Sequence, residues 1–344
     1  MAGSGKAHLR NRSDVLLRVE DLVVEFNTGP GQVVHAVSNI SLDVLKGETV
    51  GVVGESGCGK STLGRAILQL PKPTSGSVTY GDTDLTKLGE EEMRRTRRDL
   101  QMILQDPISS LNPRRKVRDA VAEGLQVWGT DKRQVSGKVD EVITAVGLRP
   151  EVVGSGRPSQ FSGGQCQRIC IARALILDPK MIICDEPVSA LDVSVQAQII
   201  NLLDDMKERY GLTLIFIAHD LAVVKNISDR VVVMYLGKIC EVGGPDDLFA
   251  RPMHHYTKLL MDSIPQPQTG VGDAHKWSQD NSAAVDLPSP MSPPSGCRFR
   301  TRCPAATSLC AEKEPQLQQV GPDHFVACHF PRGSDGRDAA LIPD

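Results

Sequence analysis

Two short glycine-bearing turns and one pair of adjacent carboxylates carry the chemistry that can be read from this sequence. Residues 54–61 read GESGCGKS, a match to GxxxxGKS, behind the apolar run ETVGVV and ahead of the helical pattern TLGRAILQL. Glycines let backbone N–H groups close on phosphate oxygens, and a helix start behind them favours negative charge. Gly54, Glu55, Ser56, Gly57, Cys58, Gly59, Lys60, Ser61 and Thr62 are therefore expected to cradle a triphosphate. Lys60 would reach the β and γ phosphates, and the Ser61 hydroxyl would hold Mg²⁺. The bland alternative, a structural glycine turn, does not account for the strand-loop-helix context. Residues 181–186 read MIICDE, an apolar strand ending in two acids, which is costly at a buried strand end without a task. Asp185 suits the Mg²⁺ shell and Glu186 suits a general base that polarises the attacking water, a role worth ~10²–10⁴ in rate. The alternative there is a helix N-cap before Pro187. Phe161 to Gln165 reads FSGGQ, a second glycine turn that opens a helix. One chain with one nucleotide needs no second anion cradle. Two chains packed head to tail would enclose one γ-phosphate between the loop of one and the SGG turn of the other.

The elements that must position these residues follow from hydrophobic patterning. Residues 50–53, 181–184, 213–218 and 231–235 are nearly continuous apolar runs of strand length, as expected for strands covered on both faces by helices. They predict an α/β sheet with a parallel core over residues 16–264. Between residues 105 and 172 the alternation lapses into helical segments, including 117–128 and 137–146, which predicts a helical insertion. Glu90 and Glu91 stand four residues before Arg94 and Arg95, read as a solvated helix with i,i+4 pairs worth ~0.2–0.5 kcal/mol each. Residues 265–296 are rich in Pro, Ser, Gln and Asp and read as a linker. Residues 297–331 are too few to build a core alone and hold Cys297, Cys303, Cys310 and Cys328, which suggests a small metal-bound C-terminal domain. Tails are expected at 1–15 and 332–344.

Composition bounds the rest. The 344 residues carry 39 Lys plus Arg against 42 Asp plus Glu, a net charge of −3, which argues against a basic nucleic-acid binder. With 40% apolar and 24% charged residues the chain is globular, not disordered. Its apolar stretches fall far short of the roughly 20 residues needed to cross a bilayer. The polar start MAGSGKAHLRNRSD is not a secretory signal, which predicts a cytosolic chain with reduced thiols.

The FSGGQ string resembles the signature of ATP-binding cassette proteins, and Lys60, Ser162, Asp185 and His219 follow in the order and spacing of that family. The resemblance implies the ATP-binding cassette fold: a RecA-like parallel-sheet core with an antiparallel β subdomain and a helical subdomain, here plus the Cys-rich C-terminal domain. It also implies roles at matching positions. Gln105 in LQDP is the loop glutamine facing Mg²⁺ and the membrane partner. Ser162, Gly163, Gly164 and Gln165 form the signature, Asp192 in SALD lies in the cross-dimer loop, and His219 in IAHD is the switch histidine that contacts the γ-phosphate. Phe26 resembles the aromatic on which adenine stacks, although ordinary strand core is nearly as good a reading.

Longer strings resemble one branch, the dipeptide and oligopeptide importers: QDPISSLNPR (105–114), DEPVSALDVSVQAQI (185–199), MYLGKICEVG (234–243), HHYT (254–257) and GCRFRTRCP (296–304) with ACHF (327–330). The branch implies a peripheral ATPase on the cytoplasmic face of the cell membrane. Its partners would be two permeases, an external solute-binding protein and a second, different ATPase, with no nucleic acid involved. ATP-driven closure of the ATPase pair would turn the permeases outward, and hydrolysis would reopen it. The solute would be a peptide, with nickel or a sugar as alternatives; a soluble cassette ATPase acting without permeases is a further reading. The cysteine spacing, C-x5-C-x6-C-x17-C, names no metal by itself. The branch implies a [4Fe-4S] cluster, with zinc as the alternative. Three positions depart from the family pattern: Phe161 for Leu, His255 for Pro, and Cys166 for an Arg whose loss is expected to weaken phosphate capture.

Overall fold

A computed structural model describes residues 5–263 and 287–333. Most of the expected linker (265–296) and of the C-terminal tail (332–344) falls outside these residues, as do residues 1–4 of the N-terminal one. In chain order the first elements are β1 (Val15–Gly29), β2 (Gln32–Leu45), β3 (Thr49–Val53), α1 (Lys60–Ile67), β4 (Ser75–Tyr80) and β5 (Thr83–Asp84). Then come α2 (Glu90–Thr96), β6 (Leu100–Ile103), α3 (Val117–Val127), α4 (Lys132–Ala145), α5 (Pro150–Val153), α6 (Gly163–Leu175), β7 (Met181–Asp185), α7 (Val193–Tyr210) and β8 (Thr213–Ala218). The last are α8 (Leu221–Ile227), β9 (Arg230–Tyr235), β10 (Lys238–Gly243), α9 (Pro245–Ala250), α10 (His255–Asp262), α11 (Ser308–Glu312), β11 (Gln318–Gly321) and β12 (His324–Val326). The chain divides into two compact units, one from residues 1–43, 51–86 and 219–344 and the other from 44–50 and 87–218.

In the first unit β1 pairs antiparallel with β4 and β4 with β5. A second antiparallel set runs β9, β10, β12, β11, so the strands of the Cys-rich segment extend the sheet at β10. Every residue of β9 is buried, from Arg230 to Tyr235. Arg230 is admitted there by Asp43, which is fully buried and lies 2.8 Å from its guanidinium; Arg10 also bonds the carboxylate. The two cations outweigh burial and hold the Asp43 carboxyl below its usual range.

In the second unit β6, β7 and β8 form the expected parallel core, with Leu100 opposite Met181 and Met181 opposite Thr213. All residues of β7 and β8 are buried, as expected of strands covered on both faces. The helical insertion is present as α3 to α6, preceded by a loop over residues 104–116. Within it α4 starts at a side-chain cap, Asp131, which accepts the Arg133 N–H at 2.8 Å. Glu91 bonds Arg94 at 2.8 Å and Arg95 at 3.2 Å on the exposed face of α2, so both i,i+3 and i,i+4 partners are used. The Arg94 guanidinium also lies 4.3 Å from the Trp128 ring, a contact that charge spacing alone does not reveal.

Candidate functional site

In the first unit the chain leaves β3 and turns through Gly54, Gly57 and Gly59, all at positive φ, before α1 begins. Gly59 has φ 100°, and a Cβ there would lie 2.1 Å from the Ala36 carbonyl oxygen, so only glycine can follow this path. Lys60 is 3% exposed, and its ammonium donates to the carbonyls of Gly54 at 2.7 Å and Glu55 at 3.0 Å. Ser61 and Thr62 fall in the first turn of α1, where the helix dipole favours an anion. Cys58 is buried inside the loop, and desolvation pushes its thiol up. Phe26 is 38% exposed near the end of β1. His219 is exposed immediately after β8, and Asp220 caps α8 by accepting the Ala222 N–H at 2.8 Å.

In the second unit Asp185 ends β7 with no exposed surface, while Glu186 turns out of the strand at φ 46°. A left-handed non-glycine residue costs of order 1–3 kcal/mol and persists where its surroundings hold it. Among the contacts that hold this one, the Glu186 N–H donates to the Ile217 carbonyl at 3.0 Å, its carbonyl accepts the Ser189 hydroxyl at 3.1 Å, and Gln105 Nε2 donates to Oε2 at 2.9 Å. Gln105 and Glu186, singled out from separate motifs, are thus in direct contact. The signature turn opens α6 with a reciprocal cap. Ser162 Oγ accepts the Gln165 N–H at 3.3 Å, and Gln165 Oε1 accepts the Ser162 N–H at 3.0 Å. Gly164 has a second task that the sequence did not show, because a Cβ there would lie 2.6 Å from Val195 Cγ1 at the start of α7. Asp192 caps α7 by accepting the Val195 N–H at 3.0 Å and the Ser194 hydroxyl at 2.7 Å. The Ser194 bond is the main reason that its carboxyl sits below the usual range.

Cys166 does not face outward. It is fully buried, and its thiol lies 3.4 Å from the Pro158 carbonyl, so the missing arginine leaves an inward position filled by a small apolar group. Cys184 is likewise strand core, its thiol pushed up to about 12 by burial.

The four tail cysteines line one small cavity together with Phe299 and His254. Burial, followed by the Cys297 and Cys310 neighbours, raises Cys303 to about 11, and burial raises Cys328 to about 12, with the other three cysteines adding to it. Four convergent thiols are the right kind of donor set for a thiophilic metal or cluster. A single zinc ion would need its sulfurs ~2.3 Å from one point. Among the described residues no group of three or more His, Cys, Asp or Glu is gathered in that way.

Sequence reasoning missed Arg302, which donates two hydrogen bonds to the Glu55 carboxylate at 2.7 and 2.9 Å, and Tyr256, whose hydroxyl accepts the Glu55 N–H at 2.8 Å. Both lie inside strings that mark the importer branch, but no spacing rule links them to a loop some two hundred residues away.

The ABC transporter family profile matches residues 37–189, and the profile for the C-terminal region of oligopeptide/dipeptide transporters matches 240–310. The putative oligopeptide transport ATP-binding protein YkfD of Bacillus subtilis is 50% identical over 94% of this chain and 98% of its own length. The oligopeptide transport ATP-binding protein OppF of Salmonella typhimurium is 49% identical over 91% of this chain and 96% of its own. Among solved structures, cbiO1 of the Clostridium perfringens cbiONQ transporter superposes with a TM-score of 0.62 at 29% identity, covering 69% of this chain and 91% of that one. With half of its residues shared along nearly its whole length, the chain belongs to the ABC transporter family, among the ATP-binding proteins of its oligopeptide and dipeptide branch.

Proposed function

We propose that this chain is the ATPase of a peptide importer, hydrolysing ATP to drive uptake of short peptides. The observation that carries the reading is the uncapped, glycine-built start of α1 with the buried Lys60 beside it, in a chain that also holds the contacting pair Gln105 and Glu186. The Gly54–Thr62 backbone and Lys60 bind the phosphates, and Phe26 stacks on adenine. Ser61, Asp185 and Gln105 would hold Mg²⁺, which when bound neutralises charge on the phosphates. Glu186 accepts a proton from the attacking water, with Gln105 orienting its carboxylate, and His219 senses the γ-phosphate. Ser162, Gly163, Gly164 and Gln165 act on the nucleotide of a second subunit, and Asp192 stands in the loop facing it. That subunit is a different ATPase. The pair sits on the cytoplasmic face of the membrane against two permeases served by an external solute-binding protein. Among the described residues no helix is long and apolar enough to cross a membrane, which suits a peripheral role.

Glu186→Gln is expected to leave MgATP affinity within about twofold while lowering kcat by ~10²–10⁴, read in a steady-state phosphate-release assay. Hydrolysis at the native rate would remove Glu186 from the reaction. Peptide uptake into vesicles carrying the whole transporter should stop in the same variant; uptake of nickel or a sugar in place of peptide would revise the solute.

The same reading places a [4Fe-4S] cluster, or zinc in its stead, at Cys297, Cys303, Cys310 and Cys328. It would serve to staple the short segment, whose Val326 and Cys328 pack against Met253 of the preceding domain. Iron and zinc analysis of anaerobically purified protein decides between them, and equal metal content after Cys303→Ser with Cys310→Ser would discard both.

A further inference from the structure

The Cys-rich segment reaches the phosphate loop through the side chain of Arg302. Arg302, the neighbour of Cys303, holds the Glu55 carboxylate with two parallel bonds of 2.7 and 2.9 Å. Only 6% of the Arg302 side chain and 28% of that of Glu55 remain exposed. The guanidinium also lies 5.8 Å from the Tyr235 ring and 5.9 Å from the Phe299 ring. Tyr256, packed 4.7 Å from Tyr235 and 5.4 Å from Phe299, accepts the backbone N–H of the same Glu55. The Glu55 carbonyl in turn accepts from Lys60 Nζ at 3.0 Å. An unbroken series of contacts therefore runs from Arg302 through Glu55 to the lysine of the loop.

The pairing is an odd choice if its only task is to dock the segment. Taking an ion pair largely out of water carries a desolvation cost, and apolar replacements of similar volume often stabilise as well or better. Phe299, 2% exposed, already supplies apolar docking at the same place. The pair also answers a problem particular to this loop. Glu55 puts a negative charge within the turn that receives a polyanion, and a like charge there weakens binding unless a cation offsets it.

We propose that Arg302 is a positioning residue for nucleotide binding: it neutralises and orients Glu55, and so ties the ATP affinity of the loop to the Cys-rich segment. This rests on the reading of Gly54 to Thr62 as the ATP cradle. The test is a double-mutant cycle on the full chain with MgATP as probe, read by equilibrium titration. Arg302→Ala should weaken MgATP binding about tenfold, the scale of one lost charge-assisted contact. In a Glu55→Gln background, where no carboxylate needs offsetting, the same substitution should cost less than about twofold. Arg302→Lys, which keeps the charge but not the fork, should fall between. A purely structural role would lower the melting temperature of the Arg302 variants and leave affinity untouched in both backgrounds. Arg302→Ala binding MgATP as the native chain does, or losing the same tenfold in the Glu55→Gln background, overturns the proposal. If Arg302→Ala is insoluble, the Arg302→Lys pair decides: its loss must vanish when Glu55 becomes Gln. Failure of the native chain itself to bind MgATP would instead remove the nucleotide reading.

Discussion

The two helix starts on which the chemistry depends are built in opposite ways. α1 follows Gly59, a left-handed residue with no side chain to offer, and its loop is held from behind by Lys60, Tyr256 and Arg302. α6 follows Ser162, and Ser162 and Gln165 cap each other in both directions. Both turns are rich in glycine, for different reasons. At Gly59 the backbone conformation excludes a side chain, whereas at Gly164 the conformation is ordinary and the neighbouring helix takes the space. A start that leaves side-chain capping aside suits a ligand that must itself meet the N–H groups. A self-capped start is a finished surface, suited to being presented to another molecule.

The sharpest way to break this contrast is Gly59→Ala. Left-handed backbone costs an L-residue about 1–2 kcal/mol. The added methyl would also collide with the Ala36 carbonyl, which belongs to β2 and cannot swing away as a side chain can. MgATP affinity should fall by at least about 100-fold in equilibrium titration. Affinity near the native value would show that the loop path does not need glycine.

That contrast also marks how far the sequence could be read. GESGCGKS and MIICDE are contiguous, so the loop, the strand before it and the carboxylates at the end of β7 are all visible from spacing and hydrophobic runs. Strands β8 and β9 lie within one residue of the apolar runs that announced them. What is not contiguous stayed hidden. Nothing in the sequence separates a glycine needed for φ from one needed for space, because both appear only as the letter G. The approach of Arg302 to Glu55 belongs to the folding of the Cys-rich segment back onto β9 and β10, where Phe299 packs on Tyr235 and β12 pairs with β10. The same pairing shows that a segment with too little apolar content for a core of its own can borrow one by extending a neighbouring sheet.

Gly164→Ala separates space from conformation at the second turn. The new Cβ would fall 2.6 Å from a Val195 methyl, the end of a side chain, so overpacking of about 1–3 kcal/mol is expected in urea unfolding. Val195→Ala should relieve most of it when combined with Gly164→Ala. Gly163→Ala, where the nearest atom is Leu191 Cδ2 at 3.3 Å, should cost less. Equal losses at Gly163 and Gly164, with no rescue by Val195→Ala, would mean that packing against α7 is not what selects glycine there.

The smallest expected effect concerns acid. Side-chain caps close the starts of both α6 and α7, but only α7, begun by Asp192, uses a charged one. Ser194 and the Val195 N–H favour the ionised form, so folding depresses this carboxyl. A depressed carboxyl contributes stability that is fully present above its unfolded value, about 3.9, and is lost as the pH falls through the lower folded value. Asp192→Asn keeps a capping oxygen and removes the titration. Unfolding midpoints of the native chain and Asp192→Asn should therefore differ more at about pH 6 than at about pH 3, the gap closing as the aspartate protonates. α1 begins at a glycine and its cap has no such group to titrate, so an acid-dependent gap that persists in Asp192→Asn must come from carboxylates elsewhere, with the buried Asp43 between Arg10 and Arg230 the first to replace.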